Sequence, residues 1–81
     1  PEAIQPTTKS TSISLKNGEL HIISDTPGAN IAFQDIPLKE ALEDNWRVYT
    51  GPLKLRPANR LITVAHRIGY LPSNQVEFIQ D

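Results

Sequence analysis

Turn text recurs along this chain every 8–12 residues or so, and the runs between the turns are too short and too strictly alternating for helices. Asn17-Gly18, Thr26-Pro27-Gly28, Gly51-Pro52, Pro57-Ala58-Asn59, Gly69 and Leu71-Pro72-Ser73-Asn74 are the punctuation marks. Gly and Asn accept positive φ and Pro presets φ near −65°, so each cluster reverses the chain and caps the length of the element before it.

The runs themselves read as strands. In TSISLKNGELHII, Ile13 and Leu15 alternate with Ser12 and Ser14, and Leu20 and Ile22 resume beyond Asn17-Gly18; this predicts a hairpin with a type I′ turn. Next, Ile31, Phe33 and Asp35 share one face against Ala32, Gln34 and Ile36. Trp46–Thr50 reads as an aromatic and β-branched strand, followed by Leu53 and Leu55 alternating with Lys54 and Arg56. Arg60–Ile68 is the longest β run, with apolar residues at both parities, as expected for a strand covered on one face and partly on the other. In Gln75–Ile79, Val76 and Phe78 share a face. Only PLKEALEDN resembles helix text, and isolated helices shorter than about 12–15 residues are marginal in water; it reads as a one- or two-turn excursion or an acidic loop. Six to seven short strands at this spacing predict an all-β fold, an immunoglobulin-like or fibronectin III-like antiparallel β-sandwich.

Residues 1–8, PEAIQPTT, have two prolines and no apolar period and read as a linker or disordered N-terminus. Residues 9–81 then form a single β-sandwich domain. Because the chain starts at Pro1, it reads as a piece of a longer protein.

Composition narrows the function classes. The chain has 8 Lys+Arg against 9 Asp+Glu, so no broad positive field exists to attract nucleic acid or an anionic membrane surface. The absence of Cys excludes disulfides, thiolate metal sites and a Cys nucleophile. His21 and His66 are distant in sequence and cannot supply a four-ligand metal site, so no metal or cofactor is expected. No apolar run approaches the ~20 residues of a spanning helix.

Asp35, Glu40, Glu43, Asp44 and Glu77 are the carboxylates considered for acid–base work. The middle three crowd one polar segment and read as a solvated loop face rather than a catalytic pair. There is no GxSxG elbow and no Gly-rich phosphate loop. Binding chemistry is better represented: Trp46 and Tyr70 are candidate sugar-stacking residues, with Arg47 and Arg67 as polar partners. Tyr49, of opposite parity to Trp46, reads as structural. Arg47, Lys54, Arg56, Arg60 and Arg67 read as scattered surface charge, or alternatively as a basic strip for a sulfated or carboxylated glycan.

Thr26, Pro27, Gly28 and Ala29, then Ile31 and Phe33, then Tyr49, Thr50, Gly51 and Pro52, then Ala65, Arg67, Gly69, Tyr70 and Ser73 carry a resemblance in their order and spacing. Over Leu20–Phe78 the chain resembles the C-terminal accessory domain of chitobiases and β-hexosaminidases, most of all the version appended to bacterial secreted sulfatases and other polysaccharide-degrading enzymes. It departs where that family carries a short YTxDGSxP-like turn and this chain reads FQDIPLKEALEDNW. The resemblance implies a module without catalytic residues of its own, packed on or beside the catalytic domain of a parent hydrolase, with a periplasmic or extracellular location. The alternative is an autonomous carbohydrate-binding module using exposed aromatics.

Overall fold

The computed structural model describes residues 5–79 and shows an all-β sandwich. Six strands, β1 (Thr11–Lys16), β2 (Glu19–Ser24), β3 (Asn30–Pro37), β4 (Arg47–Val48), β5 (Asn59–His66) and β6 (Val76–Ile79), form two antiparallel sheets. One is the β1–β2 hairpin, and the other has the order β4-β3-β5-β6.

The hairpin is the one the sequence predicts. Asn17 and Gly18 both have positive φ, 52° and 78°, as a type I′ turn requires, and the register pairs Ile13 with Ile22 and Leu15 with Leu20. Leu53 adds to the free edge of β2: Leu20 N–H donates to the Leu53 carbonyl at 2.6 Å and Leu53 N–H returns a bond at 3.0 Å. This one-residue bridge makes the small sheet three-ply where the core is deepest.

Leu20, Ile22, Phe33 and Leu61 form the centre of the core, with Ile13, Ile31, Tyr49, Leu53, Leu55 and Phe78 packed around them. Each comes from the parity the alternation assigns to the inner face, because a pleated strand sends every second side chain to the same side. A polar stitch also crosses the sandwich: the Thr11 and Thr63 hydroxyls lie 2.6 Å apart, buried between β1 and β5. The bond satisfies both groups, which burial alone would penalise.

Two segments differ from the sequence reading, and a third takes one of its two alternatives. The strand expected over Trp46–Thr50 shrinks to two residues paired with Ala32 and Phe33, because Gly51-Pro52 follows and an edge strand has one neighbour to hold it. Tyr49 N–H still reaches the Ile31 carbonyl at 2.8 Å. PLKEALEDN, read as a one- or two-turn excursion or an acidic loop, is the loop: Pro37 ends β3 and residues 38–45 form no helix. At the N-terminus, the linker reading of residues 1–8 ends early. Thr8 is buried and donates through both N–H and Oγ1 to the Leu71 carbonyl, while Leu71 N–H donates to the Pro6 carbonyl. Residues 1–4 of that expected linker lie outside the described residues.

The loop after β3 covers the outer face of the larger sheet. Gln34 is buried and points outward from β3; its amide donates to the Glu43 carbonyl and accepts from Glu43 N–H, both at 2.8 Å. Arg60 on β5 donates to the Glu40 carbonyl and pairs with Glu77, both at 2.7 Å. Ile36 and Ile62 are buried between these two anchors. The sandwich is thus three layers thick at this point.

Candidate functional site

The sequence singles out Trp46, Arg47, Arg67 and Tyr70, and the fold sorts them into two pairs rather than one. Trp46 and Arg47 lie at the start of β4, where Arg47 is opposite Phe33. Arg67 and Tyr70 lie in the turn after β5, on the other side of β3. Arg47 lies opposite Phe33 and Phe33 opposite Thr63, so Arg67 is two strand spacings away, about 10 Å, and four residues further along, about 13 Å.

Arg67 and Tyr70 engage each other. The guanidinium sits 4.9 Å from the Tyr70 ring centroid, and Arg67 Nη1 donates to Tyr70 Oη at 3.4 Å. Gly69, with φ at 86°, permits the reversal that folds the ring back, and Tyr70 N–H closes the turn on the Arg67 carbonyl at 2.9 Å. One face of the guanidinium is therefore covered by its own neighbour's ring, while Ile68 at the tip is 88% exposed.

Tyr49 has the structural role that its parity implies. It is half-buried against the core, and its hydroxyl accepts from Ile22 N–H at 3.2 Å, tying β4 to the smaller sheet.

The five basic residues do not make a continuous strip. Arg60 is held on the outer face by Glu77 and the Glu40 carbonyl, and Arg67 is committed to Tyr70. Arg56, Arg47 and Lys54 remain together on the β4 side. Arg56 Nε lies 3.3 Å from Asp35 Oδ2, and Asn59 Nδ2 donates to the other Asp35 oxygen at 2.6 Å.

Beside them the β3 edge opens. β4 pairs only Ala32 and Phe33, so β3 runs on past it, and a polar concavity of about 110 Å³ forms at Asp35 between Asn45, Arg47 and Arg56. An adjoining slot of about 130 Å³ leads to Leu20, Phe33, Leu53, Leu55 and Leu61 and is rimmed by Arg47 and Lys54. Asn45 and the edge position of Asp35 carry no signal in the sequence, since both follow from how far β4 extends.

Asp35 is bound to Arg56 and Asn59, and Glu77 to Arg60; Glu40, Glu43 and Asp44 sit exposed on the loop. Among the described residues no three His, Asp or Glu side chains cluster as metal ligands, and no helix is long and apolar enough to cross a membrane.

The chain is 33% identical over 73 residues to an ulvan-active sulfatase of Formosa agariphila, a match that takes in 90% of this chain and 12% of that enzyme. The chain thus spans about an eighth of the length of the relative it matches. No protein-family model and no solved structure matches it.

Proposed function

We propose that the chain is a non-catalytic accessory β-sandwich of a larger polysaccharide-acting hydrolase of the sulfatase kind, packing against or extending the catalytic domain. The observation that carries this reading is the proportion of the match. Nine-tenths of the chain corresponds to 12% of a sulfatase, the share expected of one appended module.

The architecture supports it. The sheet order β4-β3-β5-β6 opposite β1-β2, with Leu53 extending the small sheet, parallels the immunoglobulin-type arrangement in which C′ joins the C-F-G sheet. That arrangement agrees with the resemblance to the chitobiase C-terminal type of accessory domain. Asp35 and Glu77 are each tied into an ion pair and Glu40, Glu43 and Asp44 are exposed on the loop, which supports a module whose carboxylates serve the surface rather than an acid–base pair. Leu38, Leu42 and Ile79 are exposed on the loop and the edge strand, the kind of apolar surface that an inter-domain contact covers. The secreted location follows from the same reading.

The first test is to incubate the chain with sulfated polysaccharide and follow sulfate release and new reducing ends. The reading predicts neither above the buffer control. Turnover that survives repeated purification and disappears on mutating a carboxylate of this chain would overturn it.

A further inference from the structure

The concavity at the open edge of β3 takes in Arg47, one of the four sequence-selected residues, and sets it beside Arg56, Asn45 and Asp35. Ile31 accepts from Tyr49 on the β4 side, so by alternation the main-chain groups of residues 31, 33 and 35 face that way. β4 stops at Phe33's partner, leaving the Asp35 main chain at the uncovered edge. Its carbonyl receives only a long contact from Arg56 Nη2, 3.4 Å.

Around this edge stand planar, multiply donating groups. Arg47 is exposed, with no ion pair among the described residues, and it lines both the polar concavity and the adjoining apolar slot. Arg56 is 70% exposed at its side chain, and its contacts with Asp35 run through Nε to the carboxylate and Nη2 to the carbonyl, which leaves Nη1 for a ligand. Asn45 adds an amide and Lys54 an exposed ammonium. Against these three cations stand Asp35, whose carboxylate is already bound by Arg56 and Asn59, and Glu43. The local balance is one positive charge in excess, delivered largely by guanidinium groups that can bind an oxyanion in bidentate fashion.

We propose that Arg47, Arg56 and Asn45, with Lys54 beside them, form a subsite for one acidic sugar residue of a polysaccharide, its anionic substituent held by Arg47 and its hydroxyls by Asn45 and the Asp35 edge. The choice of a sugar rather than another acidic ligand rests on the accessory-module reading. The anionic oxygens belong to a sulfate ester or to a ring carboxylate, which share this recognition chemistry. The Arg67–Tyr70 stack is not part of the site, because it lies in the turn after β5, across β3 from Arg47.

The test is an amide-shift titration of the ¹⁵N-labelled chain at low salt, where screening of exposed charge is weakest. The probes are a sulfated oligosaccharide, a uronate oligosaccharide, a neutral oligosaccharide and inorganic sulfate. The subsite predicts saturable shifts at Asp35, Asn45, Arg47 and Arg56 with at least one acidic saccharide, and the tighter of the two identifies the substituent. Neutral saccharide leaves these amides unmoved, and inorganic sulfate binds more weakly than the saccharide. R47Q weakens binding at least about tenfold with spectral dispersion unchanged, whereas R47K retains part of it.

No saturable shift up to about 10 mM ligand, a range that reaches weak single-residue sites, would overturn the proposal. So would shifts centred on Arg67 and Tyr70, unchanged binding in R47Q, or sulfate ion matching the saccharide. The accessory-module reading is tested separately, by exchange into a sulfatase without added ligand, so the two fail independently.

Discussion

The Gln34 side chain and the Glu43 backbone exchange two hydrogen bonds of 2.8 Å, the amide acting toward Glu43 as a neighbouring strand would. Gln34 is buried in the outer face of the larger sheet, so the pair fastens the acidic loop over Ile36 and Ile62. The stretch between β3 and β4 thus forms a cover over the sheet.

Replacing Gln34 by Ala removes both bonds and bares the sheet beneath. Two lost bonds at a buried site predict a destabilisation of about 1–3 kcal/mol, read as a lower denaturation midpoint. The Glu43 amide should also exchange with solvent much faster than those of β5. A change confined to the midpoint, with Glu43 still protected, would contradict the fastening role.

Thr11 and Thr63 test the polar stitch between the sheets. T63V leaves the Thr11 hydroxyl buried and unpartnered, at a cost of about 1–3 kcal/mol. The double variant T11V/T63V should recover most of that loss, since neither hydroxyl is then stranded. A double-mutant cycle by urea denaturation gives the coupling, and simple additivity would speak against the bond.

Tyr49 carries two burdens that substitution separates. Y49F keeps the ring against the core and loses only the bond to Ile22 N–H, costing about 0.5–1.5 kcal/mol. Y49A also opens a cavity and should cost about 3–5 kcal/mol. Equal effects of the two changes in thermal denaturation would show that the ring packs on nothing.

Ala58 adopts φ of 61°, a left-handed conformation that costs a residue with a Cβ roughly 1–2 kcal/mol. A58G relieves this but frees the unfolded chain by about 0.4–1 kcal/mol, for a net gain of about 0.5–1 kcal/mol. The readout is a higher midpoint with an unchanged denaturant slope.

The sequence displays the strands well because each is short, alternating and bounded by residues with a physical reason to turn. Asn17-Gly18 and Gly69 adopt the positive φ that their composition invites. Ile31 and Phe33 face inward as their parity requires. The length of β4 is not legible: Trp46–Thr50 has strand composition throughout, and only the geometry of the edge limits pairing to Arg47 and Val48. Long-range polar contacts are hidden for the same reason. Nothing local marks Thr8 as buried beneath Leu71, or Gln34 as the anchor of a loop nine residues away. The polar residue between outward-facing Ala32 and Ile36 is the one trace of that cover. Residue type singles out Trp46 and Tyr70 with Arg47 and Arg67, but not their grouping into two pairs, which follows from β4 and the turn after β5 lying on opposite sides of β3. The concavity at Asp35 arises from the strand end that the alternation cannot see.

The central claim, that the chain is an accessory module in a larger hydrolase, is tested most directly by exchange. The segment of the Formosa agariphila ulvan-active sulfatase that matches this chain would be deleted, or replaced by this chain, and sulfate release from its polymer measured with the thermal midpoint of each protein. The account predicts that deletion lowers the midpoint or the activity on polymer and that this chain restores most of the loss. A chimera no better than the deletion, although its inserted domain is folded, would contradict it.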